Sequence, residues 1–419
     1  MTRNSTINRT LKFILCLFGI WPDMSCAILC RTFWAITAII FIICQYRYLS
    51  LYFRTDDIFE LVDCISSFVW YFKLMGKLIF FSINQRTLNE VLTMMTKDWK
   101  DCAKSDIETR QALSKAKISD RVANIVIVFQ TIAVLSYGTG IVLADVDVTD
   151  QTIRLPHIHK MDLPFHISTQ RMYRFIVASE LIYVTMAGWC SGLLNVLLLT
   201  LSLHVGGQID IVCYWLTKLV PESNMKETES VDVTIYKIIQ KHQKIIYFSK
   251  KIEKIYTFIA LILFVTNMIM ICFLGFLFVT ALDNPDAMEK IARSFSFFGV
   301  TNIEAFIFCY AGEYIINKSD ALELAAYNCA WYDLEPKLSR MVLFVILRAQ
   351  KQLTLTVGKM TNLSLQCFAT VRLCTIHKII HDPNCIIFTT IMQSNSIGLG
   401  YNSLLNLNRK NDKGKSFTV

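Results

Sequence analysis

The sequence predicts an all-α membrane protein with seven transmembrane helices. The 419 residues are 54% hydrophobic with a mean hydropathy of +0.43, whereas soluble domains contain roughly 45–50% apolar residues. Only 7 prolines and 15 glycines occur, which argues against a low-complexity chain. Apolar segments of the length that a spanning helix needs, about 20 residues, recur along the sequence. They lie at 32–53, 59–83, 123–144, 172–204, 256–282, 292–312 and 338–370.

The first 30 residues allow two interpretations. Basic residues precede the apolar run FILCLFGIW, and Ser25-Cys26-Ala27 resembles a cleavage site, as in a signal peptide. The favoured interpretation is an uncleaved helix at the cytosolic surface of the membrane. We expect it to end at Trp21-Pro22, because a proline disfavours helical backbone in the residue before it.

The net charge of +9 lies largely in the connections, of which 84–122 and 205–255 are long. In a membrane protein this balance is typical of cytoplasmic Lys and Arg, and it favours a cytosolic N terminus. Sequons at Asn4 and Asn8 favour the opposite orientation. No basic run contains interleaved aromatic residues, so the sequence does not predict nucleic-acid binding.

No motif predicts an enzyme, a metal site or a cofactor. The sequence lacks a P-loop and an HExxH, GxSxG or paired-carboxylate motif. None of the 14 cysteines has CxxC spacing, so neither a zinc site nor a disulfide framework is indicated. His157 and His159 lie two residues apart, but no further ligand cluster accompanies them.

Ionisable residues lie within the apolar segments, where each costs about 2.5–3.5 kcal/mol at a helix centre. They are Asp63, Lys73, Lys77, Glu180, Glu304 and Lys359. We expect them to face protein or a wet cavity. Lys77 is near a helix end, where snorkelling is the favoured interpretation. For Lys73, one turn deeper, a shared buried cavity is an equal alternative. The sequence predicts no partner for Glu180 or Glu304.

Aromatic residues concentrate in the predicted outer half of the bundle. The candidate ligand-binding residues are Trp70, Tyr71, Tyr137, Tyr183 and Phe297. An apolar pocket with a few hydroxyl groups would suit a small volatile or lipophilic ligand. Ordinary helix packing is the alternative. Gly188 and Gly192 form a small-xxx-small pair, which predicts close packing against a neighbouring helix.

The seventh apolar segment is composite. Ser319-Asp320 is expected to open a helix before it, with Glu323 completing a capping box. Pro336 starts the next helix, whose apolar core spans only about a third of a bilayer, so that helix should pack against protein. Residues 353–370 are long enough to cross.

A polar stripe is predicted on this last helix. Its residues recur at spacing four: Thr354, Gly358, Asn362 and Gln366, followed by Thr370. Such a stripe lines a water-filled path or forms interhelical hydrogen bonds, and periodicity alone leaves both open.

The run AAYNCAWYDLEP…SRMVLFVILRAQKQLTLTVGKMTNLSLQCFAT closely resembles the C-terminal signature of insect odorant receptors, especially those of ants, bees and wasps. The resemblance extends over about residues 10–370. The positions that carry it are Tyr327, Trp331, Tyr332, Arg340, Arg348, Gln350, Gly358, Ser364 and Phe368.

This resemblance implies a cytosolic N terminus and a seventh helix split into cytosolic and pore-lining parts. It further implies a tetrameric cation channel of the plasma membrane that is gated by a small volatile odorant and assembles with a shared co-receptor. The anchoring residues would be Tyr327, Trp331, Tyr332, Arg340, Arg348 and Gln350. The expected divisions are a surface segment at 1–30, a ligand-binding bundle at 31–312, anchor helices at 313–350, a pore helix at 351–370 and a tail at 371–419.

One departure from the family and one alternative function remain. After Thr370 the family continues as an apolar helix that carries the gate, but here Arg372, His377 and Asp382-Pro383 interrupt the pattern. A G-protein-coupled receptor is the alternative function, supported by seven spans and the sequons. The sequence lacks an Asp-Arg-Tyr type motif after the third segment and an Asn-Pro-x-x-Tyr motif in the seventh.

Overall fold

Long helices form almost all of the computed structural model, which describes residues 6–22, 24–52, 58–143, 155–219, 231–281, 287–370 and 373. The elements are α1 (Arg9–Leu17), α2 (Ala27–Tyr52), α3 (Ile58–Ile83), α4 (Gln85–Cys102), α5 (Asp106–Leu143), α6 (Gln170–Thr217), α7 (Val231–Ala281), α8 (Ala287–Tyr327), a 3-10 turn (Trp331–Asp333), α9 (Pro336–Ala349), β1 (Thr356–Val357) and β2 (Thr361–Asn362).

Within the described residues, 6 helices are long and apolar enough to cross a membrane. They lie at Ala27–Leu51, Leu61–Ile83, Asp106–Ser136, Gln170–Thr217, Val231–Phe273 and Phe295–Asp333. The helix α2 presents a continuous apolar face outward, with Ile28, Phe33 and Ile40 all exposed, and a lipid environment would bury such a face. The prediction of an all-helical membrane protein is confirmed.

The helices extend well beyond the apolar segments. At about 1.5 Å per residue, α6 and α7 would measure roughly 72–77 Å, more than twice the bilayer core. The described residues of the charged connections 84–122 and 205–255 are accordingly helical over most of their length. They stay ordered because each keeps one apolar face in the core, with Ala116 on α5 and Ile238 on α7 fully buried.

The helix α6 lies at the centre of the bundle and contacts α5, α7 and α8. Its Gly192 faces α5 so closely that a Cβ atom there would come 2.7 Å from Cγ1 of Val126. The predicted close packing at Gly188 and Gly192 is confirmed.

The N-terminal segment is part of the core. Leu11, Ile14 and Leu15 on α1 are buried in the same cluster as α4 and α6. The Thr6 hydroxyl accepts a 2.7 Å hydrogen bond from Trp99 Nε1 and lies 3.3 Å from His204 Nδ1. The segment therefore packs against protein on its apolar side. Its helix ends at Leu17 rather than at Trp21-Pro22, because Gly19 with φ of 66° turns the chain there.

The sixth span continues directly into the anchor region, because α8 runs unbroken through Ser319 to Tyr327. The helix start predicted at Ser319-Asp320 is therefore wrong. Ser319 is buried, and its hydroxyl accepts the Leu353 N–H at 3.0 Å. The helix start predicted at Pro336 is correct, because α9 begins there with the proline in its first turn.

The predicted helix at 353–370 is wrong over most of its length. The strands β1 and β2 form an antiparallel hairpin there, and only 365–370 are helical. Gly358 and Lys359 form its turn with φ of 56° and 62°, values that an L-residue adopts at a cost. The hairpin is fastened to α7, because the Gly358 N–H donates to the Thr257 carbonyl at 2.9 Å. The polar residues that recur at spacing four therefore do not form a helical stripe, because most of them lie in or next to this hairpin.

Candidate functional site

An apolar pocket lies between α3, α5, α6 and α8. It holds about 480 Å³ of empty space, counted with its open mouth. Its lining consists of Trp70, Gln130, Ala133, Val134, His159, Val184, Gly188, Phe297 and Val300.

The segment 155–169, between α5 and α6, covers the pocket on one side. His159 enters the lining, with its ring 5.4 Å from that of Tyr71 in an edge-on contact. Buried Glu180 fixes the segment, because its Oε1 lies 2.7 Å from His157 Nδ1 and its Oε2 accepts the Ile158 N–H at 3.0 Å. The two histidines thus have separate surroundings, and the partner of Glu180 that the sequence left open is His157.

The structure places the predicted ligand-binding residues in two groups. Trp70 and Phe297 line the pocket. Tyr71 and Tyr183 instead stack in a neighbouring aromatic cluster, where Phe41 of α2 lies 4.2 Å from the Tyr183 ring. The side chain of Tyr137 lies outside the part of the chain that the structure describes.

Two polar lining residues, Gln130 and His159, were not predicted as ligand contacts. Gln130 is a polar residue in an apolar stretch of α5, and this could have been read from the sequence. A single polar residue has no periodicity, however, so it does not indicate which side of the helix faces a pocket. His159 was considered only as a metal ligand, and its place depends on how the segment 155–169 folds back over the bundle, which no local pattern indicates.

A buried ionic cluster lies one helical turn beyond the pocket. Lys73, Ser191 and Glu304 follow the lining residues Trp70, Gly188 and Val300 by three or four positions. Lys73 forms an ion pair with Glu304, and Lys77 Nζ lies 3.3 Å from Glu304 Oε1.

The cluster corrects one prediction. Lys77 is 1% exposed and does not snorkel. Its ammonium donates to Ser191 Oγ at 3.0 Å and to Asn195 Oδ1 at 2.9 Å, while the Ser191 hydroxyl donates to Glu304 Oε1 at 2.8 Å. Lys73 and Lys77 are instead buried together against protein, and Glu304 is their common partner.

A second buried polar cluster lies at His204 of α6, about 20 Å farther along the helix than Ser191. Asp98 Oδ1 accepts a 2.8 Å hydrogen bond from Lys244, and its Oδ2 lies 3.3 Å from His204 Nε2. Burial alone would raise the pKa of Asp98, but the hydrogen bonds and charges of His204, Lys241 and Lys244 outweigh burial and lower the pKa to about 2. The cluster joins α4, α6 and α7 and reaches the N-terminal segment through His204.

The predicted anchor residues lie around the end of α8 and along α9. Tyr327 and Tyr332 are about two-thirds exposed, Trp331 packs partly against the core, and Arg340 and Gln350 are exposed. Arg348 donates to the Lys351 carbonyl at 3.1 Å. Beside them Phe344 and Leu347 point outward from α9, so this face is an exposed apolar surface.

The predicted pore residues do not share a face. Thr354 precedes the hairpin, Gly358 lies in its turn and Asn362 lies in β2, whereas Gln366 belongs to the helical residues 365–370. The tail at 371–419, except for residue 373, lies outside the described residues.

The long apolar helices, together with the apolar pocket between them, are typical of a multi-pass helical membrane protein of receptor type. The model of the 7tm Odorant receptor family matches residues 57–375, and the chain belongs to this family. Membership of a receptor family agrees with the expectation that the chain is not an enzyme.

Curated relatives match over shorter stretches. Odorant receptor 10 of Aedes albopictus is 30% identical over 142 residues, which is 34% of this chain and 37% of the relative. Putative odorant receptor 92a of Drosophila melanogaster is 28% identical over 149 residues, 33% of this chain and 35% of the relative. The chain thus spans about a third of the length of these relatives. Their organisms do not support the ant, bee or wasp lineage suggested by the resemblance.

Solved structures match over nearly the whole fold. The insect olfactory receptor OR5 from Machilis hrabei has a TM-score of 0.74 at 13% identity, covering 89% of this chain and 96% of that one. The structure of that receptor in complex with eugenol has a TM-score of 0.70 at 13% identity, covering 89% and 97%. At this identity the likeness concerns the fold.

Proposed function

We propose that this chain is the ligand-tuning subunit of an odorant-gated cation channel that works with a shared co-receptor in the plasma membrane of olfactory sensory neurons. One observation carries the proposal: the apolar pocket between α3, α5, α6 and α8, covered by the segment 155–169, in a chain of the odorant receptor family. Its ligand is a small volatile molecule.

Trp70 and Phe297 supply the aromatic surface on which such a ligand packs. Tyr71 and Tyr183 act indirectly, because their stack with Phe41 supports the pocket wall that Trp70 belongs to. Tyr137 remains a predicted contact from the same region of α5.

A route from the pocket to the pore helix is provided by contacts of α7 and α8. The hairpin is bound to α7 at Thr257, and the Leu365 N–H at the start of the helical residues 365–370 lies 3.3 Å from Glu313 Oε2 on α8. A ligand that favours one arrangement of these helices shifts the equilibrium between closed and open states. Gln366 lines the conduction path, and Thr354, Gly358 and Asn362 shape the approach to it from the hairpin.

The exposed surface on α9 and the end of α8 is the contact with neighbouring subunits, through Tyr327, Trp331, Tyr332, Arg340, Arg348 and Gln350. Its support is the exposed apolar surface next to these residues. The outward face of α2 contacts membrane lipid.

The test is current recorded against an odorant panel from cells that express this chain with and without the co-receptor. We expect odorant-evoked cation current only on co-expression. If both chains reach the surface and no odorant evokes current, residues 371–419 are replaced by a family-type ending. Rescue would locate the defect in the tail, and failure of the chimera would contradict the proposal.

A G-protein-coupled receptor is the competing function. The family match and the fold likeness to an insect olfactory receptor favour the channel. Glycosidase treatment separates the two, because a mobility shift that is lost on mutating Asn4 and Asn8 would place the N terminus outside the cell.

A further inference from the structure

Gln130 is a buried polar residue whose side-chain amide has no hydrogen-bond partner among the described residues. It lies on α5, its side chain is 5% exposed, and it lines the pocket among apolar neighbours. Within the described chain its amide makes no hydrogen bond to another residue. The next residue, Thr131, does have partners, since its hydroxyl donates to the Ile127 carbonyl at 2.8 Å and accepts from Trp189 Nε1 at 2.9 Å.

The glycine pair on α6 leaves room for this amide. A Cβ atom at Gly188 would lie 3.4 Å from Gln130 Oε1, and one at Gly192 would lie 3.3 Å from Gln130 Nε2. The amide therefore rests over two positions without side chains, and neither of them brings a polar group to it. The open side of the amide is the pocket.

The remaining described lining gives the ligand few polar contacts. Trp70, Val134, Val184 and Phe297 offer apolar surface, and His159 is the one titratable group among the described lining residues. The charges of Lys73 and Glu304 are engaged with each other one turn away. Besides the imidazole of His159, the lining thus provides one neutral amide, both donor and acceptor, among largely apolar side chains.

We infer that this pocket selects small, mainly apolar molecules with one neutral hydrogen-bonding oxygen, such as an alcohol or a ketone, and that Gln130 is the residue that binds this oxygen. The inference rests on the proposed function and specifies the ligand class for the same pocket. A buried amide that stays unpaired is costly, so an oxygenated ligand gains affinity that a hydrocarbon of the same size does not. We expect about a 10-fold effect, which corresponds to about 1.4 kcal/mol.

The experiment measures dissociation constants of the purified full-length chain in detergent for 1-hexanol, 2-hexanone and heptane, which have equal numbers of non-hydrogen atoms. The observable is the ratio of the heptane constant to each oxygenated one. The free energy of transferring each probe out of water is the same for every variant, so a change in this ratio between variants comes from the protein. The variant Gln130→Leu keeps the side-chain size and removes the amide, and Gln130→Met is a second variant should the first fold poorly.

The control is Val184→Ala, which enlarges the same pocket and removes no hydrogen-bonding group. We expect the ratio to fall about 10-fold in the Gln130 variants and to stay nearly constant in Val184→Ala. An unchanged ratio in the Gln130 variants, an equal fall in the control, or no binding of the oxygenated probes to the unmodified chain would each overturn the inference.

Current recordings distinguish the two proposals. Binding with the expected ratio but no odorant-evoked current, in the complex or in its tail chimera, would overturn the channel function and leave the ligand class standing. Odorant-evoked current together with an unchanged ratio would overturn the role of Gln130 alone.

Discussion

Replacing Glu304 by Gln should destabilise the bundle more than any other single change in the ionic cluster. Glu304 is the shared partner of Lys73 and Lys77, and all three residues are 1% exposed. The amide would leave two buried ammonium groups without a countercharge. Removing one partner of a buried pair costs about 3–5 kcal/mol, and here a single carboxylate serves two cations.

The matched comparison is Lys73→Met. This change removes one cation and leaves Lys77 paired with Glu304, which is a balanced pair. Lys77 also keeps Ser191 and Asn195 as acceptors. We therefore expect a smaller loss for Lys73→Met, about 1–3 kcal/mol, mainly from the unused hydrogen-bonding capacity of Glu304 and Asn267.

The assay is unfolding of the purified chain in detergent, followed by tryptophan fluorescence at constant pH, with surface expression as a second readout. The order of stability should be unmodified chain, then Lys73→Met, then Glu304→Gln. Equal losses for the two variants, or a Glu304→Gln chain as stable as the unmodified one, would refute the reasoning that charge balance holds this cluster together.

Three further predictions concern other parts of the fold. Because the pKa of Asp98 is lowered to about 2 in the folded chain, its contribution of about 2 kcal/mol should be present above about pH 4 and lost as pH falls towards 2. Asp98→Asn should flatten this part of the pH profile of unfolding, and an unchanged profile would contradict it. Gly358→Ala should cost about 1–2 kcal/mol because φ is 56°, whereas the control Gly76→Ala, in a helix where its Cβ would meet Ile262 at 3.4 Å, should be neutral or stabilising in the same unfolding assay. Glu180→Ala should accelerate hydrogen exchange of the Ile158 amide about 10- to 100-fold, since that amide donates to Glu180, and exchange that stays slow would show that other contacts hold the segment.

Hydropathy was sufficient to predict the class of the fold and many of the segments that form its core. The cost of a charge in a membrane predicted correctly that Lys73 and Glu304 face protein. Their pairing could not be predicted from the sequence, because it depends on the tertiary packing that brings α3 and α8 together. Lys77 was misjudged for the same reason, since α6 brings Ser191 and Asn195 to it.

The candidate site was predicted in part. Aromatic content indicated Trp70 and Phe297, both in the lining, but could not separate them from Tyr71 and Tyr183, which stack one layer away. The pore stripe failed because helical periodicity was assumed for a segment where the β-branched residues Thr356 and Val357 directly precede Gly358. A glycine between Val357 and Lys359 was a signal for a turn.

The hairpin at 356–362 fixes the start of the C-terminal segment to α7 and α8. Its fastenings to Thr257 and, through Leu365, to Glu313 come from helices that precede it in the chain. The position and direction in which the chain leaves residue 370 are thus set upstream, whatever sequence follows. When endings are exchanged after this residue, as in the tail chimera, we expect the pocket, the ionic cluster and the surface on α9 to keep their geometry, so that any change in current reports on the ending itself.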